Sequence, residues 1–256
     1  MNTDEQSKIA ANKSLVTSYS DRGSKAYEDP MNKDFLYGEI TVRFITGIPI
    51  RDNDQTILDI GCGTGFVFDE LHEVFEVGSI QGIGVEPAQG MLELATRKHQ
   101  DNANFQFHLG SFEDLPVADK SVDHIVSTLA LHWVQSLAVA ADEMRRVLKT
   151  DGAVDILMIA KDDGANFKKA IVEALKKYLS FRQIMTTAIL VQRARPDQVV
   201  AAFSAFEDGF EVRVEEFRDI VYGTFDEHIK WWTAKSTPVI AEVEDKGQFM
   251  DHLRKE

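Results

Sequence analysis

The spacing of apolar and polar positions changes along the chain, and the changes mark out its elements. Ile57, Leu58 and Ile60 form a short apolar run that meets Gly61, Gly63 and Gly65. A run of that length ending on glycine reads as a buried strand entering a tight turn. Residues 66–74 follow with apolar positions at helical spacing. Strands are then predicted over 79–86, 104–109, 121–128 and 153–159, with helices over 87–99 and 136–149 between them. In the third strand Phe105, Phe107 and Leu109 alternate onto one face. Asp151-Gly152 supplies the stop after the second of those helices. Five strands alternating with helices predict an α/β fold, a doubly wound and mostly parallel Rossmann-like sheet.

The flanks read differently. Residues 6–22 have mixed helical character, and a loop-like segment around Tyr19 and Tyr27 leads to an amphipathic helix over 31–46. Beyond residue 160, helices are predicted over 165–180, 196–206 and 225–234, and a sixth strand over 210–222. Residues 239–243 are the one short candidate for a seventh strand. The chain thus divides into a helical N-terminal lid (1–50), a nucleotide-binding core (51–160) and acceptor-side helices with the remaining strands (161–256).

Charge narrows the ligand class. The chain has 256 residues, 42 of them acidic against 28 Lys and Arg, for a net charge of −14. Affinity for a polyanion rests largely on basic contacts to phosphate, so this balance argues for a small molecule over nucleic acid. No apolar run approaches the roughly 18 residues of a membrane helix. The polar, acidic opening M-N-T-D-E-Q-S-K does not resemble a leader, so a cytoplasmic protein without membrane contacts is expected. The single cysteine, Cys62, excludes an internal disulfide and a multi-cysteine metal site. The histidines have no metal-ligand spacing, and no metal is expected.

A glycine turn at a helix N-terminus, with free N–H groups and a positive dipole end, suits a nucleotide. The dinucleotide fingerprint needs G-x-G-x-x-G. Here the spacing is G-x-G-x-G, with Phe66 where the third glycine would stand. A P-loop needs G-K-[ST], which is absent. Glu86 closes the second strand about 20 residues past the glycines, where a carboxylate accepts from ribose hydroxyls.

These motifs resemble those of the class I S-adenosylmethionine-dependent methyltransferases. I-L-D-I-G-C-G-T-G is similar to the family's first motif, G-V-E-P-A-Q-G-M-L-E-L-A to its second, and G-S-F-E-D-L-P to its third. S-V-D-H-I-V-S-T-L-A-L-H-W-V and E-M-R-R-V-L-K-T-D-G-A-V resemble the segments around strands four and five. In the third motif the family has an acid and a small residue where this chain has Ser111 and Phe112.

The resemblance implies S-adenosyl-L-methionine as methyl donor and S-adenosyl-L-homocysteine as product. It implies ribose on Glu86, with adenine between Pro87, Met91 and the Ser111–Phe112 turn. It further implies a methionine moiety crossing Gly61, Cys62, Gly63 and Gly65 below Asp59 and reaching Thr128 and Leu129, with Tyr19 or Tyr27 closing over its carboxylate. Trp133 would wall the pocket, and His132 would act as base or acceptor contact. I-K-W-W-T-A-K-S-T-P is similar to a segment of the trans-aconitate and malonyl-carrier O-methyltransferases, which would turn Trp231, Trp232 and Lys235 toward the acceptor. Arg182, Arg193 and Arg195 are further candidates for holding a carboxylate or phosphate.

The expected activity is in-line methyl transfer to a small-molecule acceptor through oxygen, by a monomer or homodimer. Two alternatives stand beside it. A nucleic-acid methyltransferase is disfavoured by charge and by S-T-L-A where amino-methylating enzymes carry N-P-P-Y. A non-catalytic module that only binds S-adenosylmethionine is the other.

Overall fold

In the computed structural model, the described residues are 37–72, 80–161, 163–188, 193–204, 210–218, 220–235, 240 and 242–255. Tyr19, Tyr27 and most of the expected lid lie outside them. Five parallel strands form one sheet in the order β3-β2-β1-β4-β5. They are β1 (Thr56–Ile60), β2 (Gln81–Glu86), β3 (Phe105–Leu109), β4 (Val122–Thr128) and β5 (Leu148–Leu157). β1 and β4 are buried along most of their length, as central strands covered on both faces must be.

Alternation along β1 divides its side chains between two layers. Ile57 packs with α1 (Gly38–Thr46) and α2 (Phe66–Glu70) through Ile45, Val67 and Phe68. Phe105 stacks on Phe68 with ring centroids 4.9 Å apart, which anchors β3 to the same layer. Leu58 and Ile60 face the other way and pack with Ala140, Ala141, Met144 and Val147 of α4 (Leu137–Val147). The helix α3 (Gln89–Lys98) joins β2 to β3. A separate core holds α5 (Ala165–Leu175) against the last helix, Lys246–Leu253, through Ile171, Leu175, Phe249 and Leu253. Strand order reverses between β1 and β4, and the carboxyl ends of those strands open a crevice there.

Several expectations are corrected. The helix before β5 ends at Val147, not Lys149, and β5 already begins at Leu148. Gly152 is therefore no helix stop. A Cβ on it would lie 2.5 Å from Leu148 Cδ1 and 3.0 Å from the Asp123 carbonyl, so it lets β5 pass close to β4. Leu109 closes β3 in the alternation of Phe105 and Phe107 and is 57% exposed. The described residues of 210–222 form no strand. Phe210 and Val212 touch the core, but the acidic pair Glu215-Glu216 breaks the alternation, and Phe217, Ile220 and Tyr222 stand exposed. Within 239–243, Ile240 is helical and Val243 joins the C-terminal core after a turn, so no strand forms among the described residues.

Candidate active site

β1 runs into the glycine turn at the point where strand order reverses. Gly61, Gly63 and Gly65 have φ of 76°, 55° and 83°, a region that side-chain-bearing residues rarely adopt. Contact decides the matter at two of them. A Cβ on Gly61 would meet Ala130 Cβ at 2.3 Å, and one on Gly65 would meet His99 Nε2 at 2.6 Å. The N–H groups of Gly61 and Cys62 both donate to the Val85 carbonyl, at 2.8 and 3.1 Å, which fastens the turn to β2.

Glu86 ends β2 and is 8% exposed. Its Oε2 accepts from the Gly63 N–H at 3.0 Å, and its Oε1 from the Ala88 N–H at 2.9 Å. One carboxylate thus joins the glycine turn to the start of α3. Those two bonds occupy about half of a carboxylate's lone-pair positions. Burial raises its pKa, against the pull of the two N–H donors.

Asp59 lies beneath the turn. It is 1% exposed, and among the described residues neither carboxyl oxygen has a hydrogen-bond partner. Burial first, and the Glu86 charge second, push it well above the usual carboxylate range, which favours its neutral form. The Cys62 thiol is pushed up by burial and by the same two acids. Its sulfur packs against Gly84, as small filler does. Two buried carboxyls under a glycine turn, one without a donor among the described residues, match a ligand that brings both positive charge and hydroxyls. S-adenosylmethionine has a sulfonium, an ammonium and a ribose diol, and the residues fit it.

The walls come from four strand ends. Pro87, Ala88 and Met91 stand on one side, with Ser111, Phe112 and Glu113 beside them. Thr128, Leu129 and Ala130 follow β4, and His132 and Trp133 sit on a single 3-10 turn, Leu131–Trp133. Leu129 has a φ of 54°, a strained conformation for a branched residue, fixed by its N–H donating to the Leu157 carbonyl at 2.8 Å. His132 is 5% exposed, its ring 5.1 Å from that of Trp133. Asp59, Cys62 and Gly65 support this surface from below and do not line it.

The cleft continues well past the glycine turn, with a volume of about 2110 Å³. A single small ligand occupies roughly 300–1,000 Å³, so there is space for a second. Trp232 reaches its wall while packing on Phe249, with ring centroids 6.2 Å apart. The side chains of Trp231 and Lys235 lie outside the described set. Arg193 lines the cleft, Arg182 stands exposed on the helix Phe181–Ala188, and Arg195 is paired at 2.8 Å with Asp197. Among the described residues no cluster of three or more His, Cys, Asp and Glu side chains forms a metal site.

Three features escaped the sequence reading. Glu113 accepts from the Gln135 N–H at 2.6 Å and so ties the turn at Ser111 to the segment bearing His132. The left-handed backbone of Leu129 left no mark in the sequence. Tyr37 and Asp163, 126 positions apart, meet through a hydrogen bond of 2.6 Å.

Residues 58–156 match the family model described as a methyltransferase domain. The malonyl-[acyl-carrier protein] O-methyltransferase of Hahella chejuensis is 34% identical over 98 residues, 38% of this chain and 34% of that protein. The mitochondrial arginine-hydroxylase NDUFAF5 of Mus musculus is 33% identical over 125 residues, 48% of this chain and 35% of that protein. The chain spans only 18% to 34% of the length of the first curated relatives it matches. Among solved structures, the methyltransferase complexed with the Haloferax volcanii Trm112 activator shares the fold. Its TM-score is 0.58 at 20% identity, over 89% of this chain and 94% of that one. The family match covers the end of β1, the turn and the carboxylate that floor the cleft, and over residues 58–156 the chain matches a methyltransferase domain.

Proposed function

We propose that this protein transfers the methyl group of S-adenosylmethionine in line to an oxygen of a small-molecule acceptor. The observation that carries the reading is the buried Asp59–Glu86 pair beneath a glycine turn that opens into a cleft with space for two ligands. Glu86 would hold the ribose hydroxyls, and Asp59, beneath the turn, would oppose the charge of the methionine ammonium from below. The bound cofactor supplies a methyl group already activated on a positive sulfonium. What remains for the protein is to align the acceptor and exclude water. Thr128, Leu129, His132 and Trp133 wall the space beyond the turn. His132 serves as base where the acceptor oxygen carries a proton, and as a hydrogen-bond contact where it does not.

Oxygen as the methylated atom is supported by a relative named as an O-methyltransferase. The charge of −14 supports an acceptor other than nucleic acid. Among the described residues no helix is long and apolar enough to cross a membrane, and the reading takes the protein as a cytoplasmic monomer or homodimer acting on a dissolved acceptor. The relative named as an arginine-hydroxylase supports a second reading, in which the cofactor is bound without methyl transfer.

Calorimetry with S-adenosylmethionine and S-adenosylhomocysteine, followed by transfer of a labelled methyl group to an acceptor panel, separates the two. Binding of both with label transfer is expected. Binding without transfer to any acceptor favours the second reading, and binding of neither ends both.

A further inference from the structure

Arg193 differs from the other arginines of the cleft. Arg195 is held by Asp197 through two contacts, Nε at 2.9 Å and Nη2 at 2.8 Å. Arg213 pairs with Glu215, and Arg218 lies 3.5 Å from Glu216 with its side chain 90% exposed, in solvent. The Arg193 side chain is only 20% exposed. It contacts Asp163 through Nη1 alone, at 3.4 Å to the backbone carbonyl and 3.5 Å to Oδ2. These are long for a charge-assisted bond, whose usual range is about 2.7–2.9 Å. Among the described residues its Nε and Nη2 have no partner. Those two groups form the edge of the guanidinium that donates two parallel bonds to a carboxylate.

Asp163 is otherwise engaged. The Tyr37 hydroxyl donates to its Oδ2 at 2.6 Å. Burial, and then Asp163 itself, push the Tyr37 pKa up, so the phenol stays a donor at every physiological pH. Tyr37 precedes α1, Asp163 follows β5 and Arg193 precedes the helix Pro196–Phe203, and all three line the cleft that holds Glu86 and His132. The hydrogen bond fixes Asp163, and Asp163 fixes one end of the guanidinium.

We infer that Arg193 is the acceptor anchor, taking a monoanionic carboxylate of the acceptor on its Nε–Nη2 edge, with Asp163 and Tyr37 as positioning residues. The class of anion follows from the surroundings. Asp163, Glu113, Glu211 and Glu216 line the same cleft. Arg193 is the half-buried arginine of the cleft, and Asp163 beside it already offsets part of its charge, so it tolerates a single negative charge better than the −1.5 to −2 of a phosphate monoester. This inference rests on the proposed methyl transfer and specifies its acceptor as an acid.

The test uses the full chain saturated with S-adenosylhomocysteine, whose own binding is measured first by calorimetry. Binding of monomethyl malonate, dimethyl malonate and methyl phosphate is then followed by ligand-observed NMR at millimolar concentration. The wild type is expected to bind the monoester, to ignore the diester and to bind methyl phosphate at least fivefold more weakly. Arg193→Gln should weaken the monoester tenfold or more while binding S-adenosylhomocysteine normally, which also shows that it folds. Arg193→Lys should recover only part of the loss, because an ammonium is a point charge without a fork. Arg213→Gln should change nothing.

No monoester binding to the loaded wild type overturns the inference, as does equal binding of the diester or an unaffected Arg193→Gln variant. Tighter binding of methyl phosphate overturns the assignment of a carboxylate. Should Arg193→Gln fail to fold, a loss of monoester binding to the wild type between 20 and 500 mM salt supports the ion pair, and salt-independent binding refutes it. Failure of the wild type to bind S-adenosylhomocysteine would instead refute the underlying reading of the cofactor site.

Discussion

The sheet buries carboxyl groups at both of its edges, in opposite company. At the amino edge Asp54, 3% exposed, accepts from the Arg51 N–H at 3.0 Å and from its Nε at 2.9 Å. Burial works to raise Asp54, but the Arg51 side chain and backbone and His124 together hold it below the usual range. Asp123, 8% exposed, accepts from the N–H groups of Gln55 and Thr56 at 3.1 and 3.0 Å and from Lys149 Nζ at 2.8 Å. His124, fully buried, lies between Asp54 at 3.4 Å and Asp155 at 2.7 Å. At the carboxyl edge Asp59 is as deeply buried and has no hydrogen-bond partner among the described residues. Asp59 and Asp54 are only five positions apart along one chain segment. A buried acid that is given donors stays charged and binds elements together. One given none stays neutral, and its cost is recovered only when a ligand brings the missing cation.

If that contrast is correct, damage at the two edges separates stability from binding. Asp123→Ala should have the largest effect on stability. It leaves the part-exposed Lys149 ammonium and two part-buried N–H groups without an acceptor, which costs about 3 kcal/mol for three lost bonds to a charged group. For a domain of this size that lowers Tm by roughly 6–12 °C. Affinity for S-adenosylhomocysteine should stay within about twofold, the site being at the other end of the strands. A loss of stability below about 1 kcal/mol, or a parallel loss of affinity, would erase the distinction.

At the carboxyl edge the order reverses. Glu86→Ala should weaken S-adenosylhomocysteine by roughly 10- to 100-fold, the cost of removing hydrogen bonds to a charged group. Calorimetric affinity equal to wild type would take Glu86 out of the ribose role. Gly61→Ala reaches the same floor by sterics, since its φ is 76° and its methyl group would sit 2.3 Å from Ala130 Cβ. Soluble protein that binds the ligand tenfold or more weakly is expected; normal binding would mean that the turn relaxes freely.

The cofactor edge was legible because its chemistry is local. Strand, glycine turn and terminal acid lie within 31 consecutive positions, 56–86, and glycine spacing translates directly into backbone shape. The amino-edge network was not legible, because Arg51, Asp123 and Lys149 meet only through sheet register. The same holds for Tyr37, Asp163 and Arg193, three residues whose spacing carries no period. Phe210, Val212 and Val214 alternate as a strand does, yet the chain there forms none. Alternation describes a face to be covered, and only packing decides whether a ladder covers it.

The smallest effect, and the sharpest test of the contrast, belongs to Asp59→Asn. The native carboxyl is held well above its ordinary value of 3.8, by burial and then by Glu86. The unfolded chain therefore ionises at Asp59 as pH rises through about 4, while the folded protein does not. The group's contribution is fully present below that pH and drains away as pH rises toward the native value. Asparagine cannot ionise in either state and escapes the loss. The ligand-free variant should thus be more stable than wild type at pH 7 by about 1–2 kcal/mol, with the gain shrinking to nothing near pH 4. Denaturant unfolding from pH 4 to 8 measures it, and parallel curves for the two proteins would show that Asp59 is charged when empty. Ligand binding supplies the converse. A cation arriving at Asp59 must expel its proton, so wild-type binding heats should differ between buffers of different ionisation enthalpy by close to one proton. In the variant that difference should vanish and the affinity should fall. A wild type that releases no proton would place the ammonium elsewhere and leave Asp59 a buried acid with no ligand to answer it.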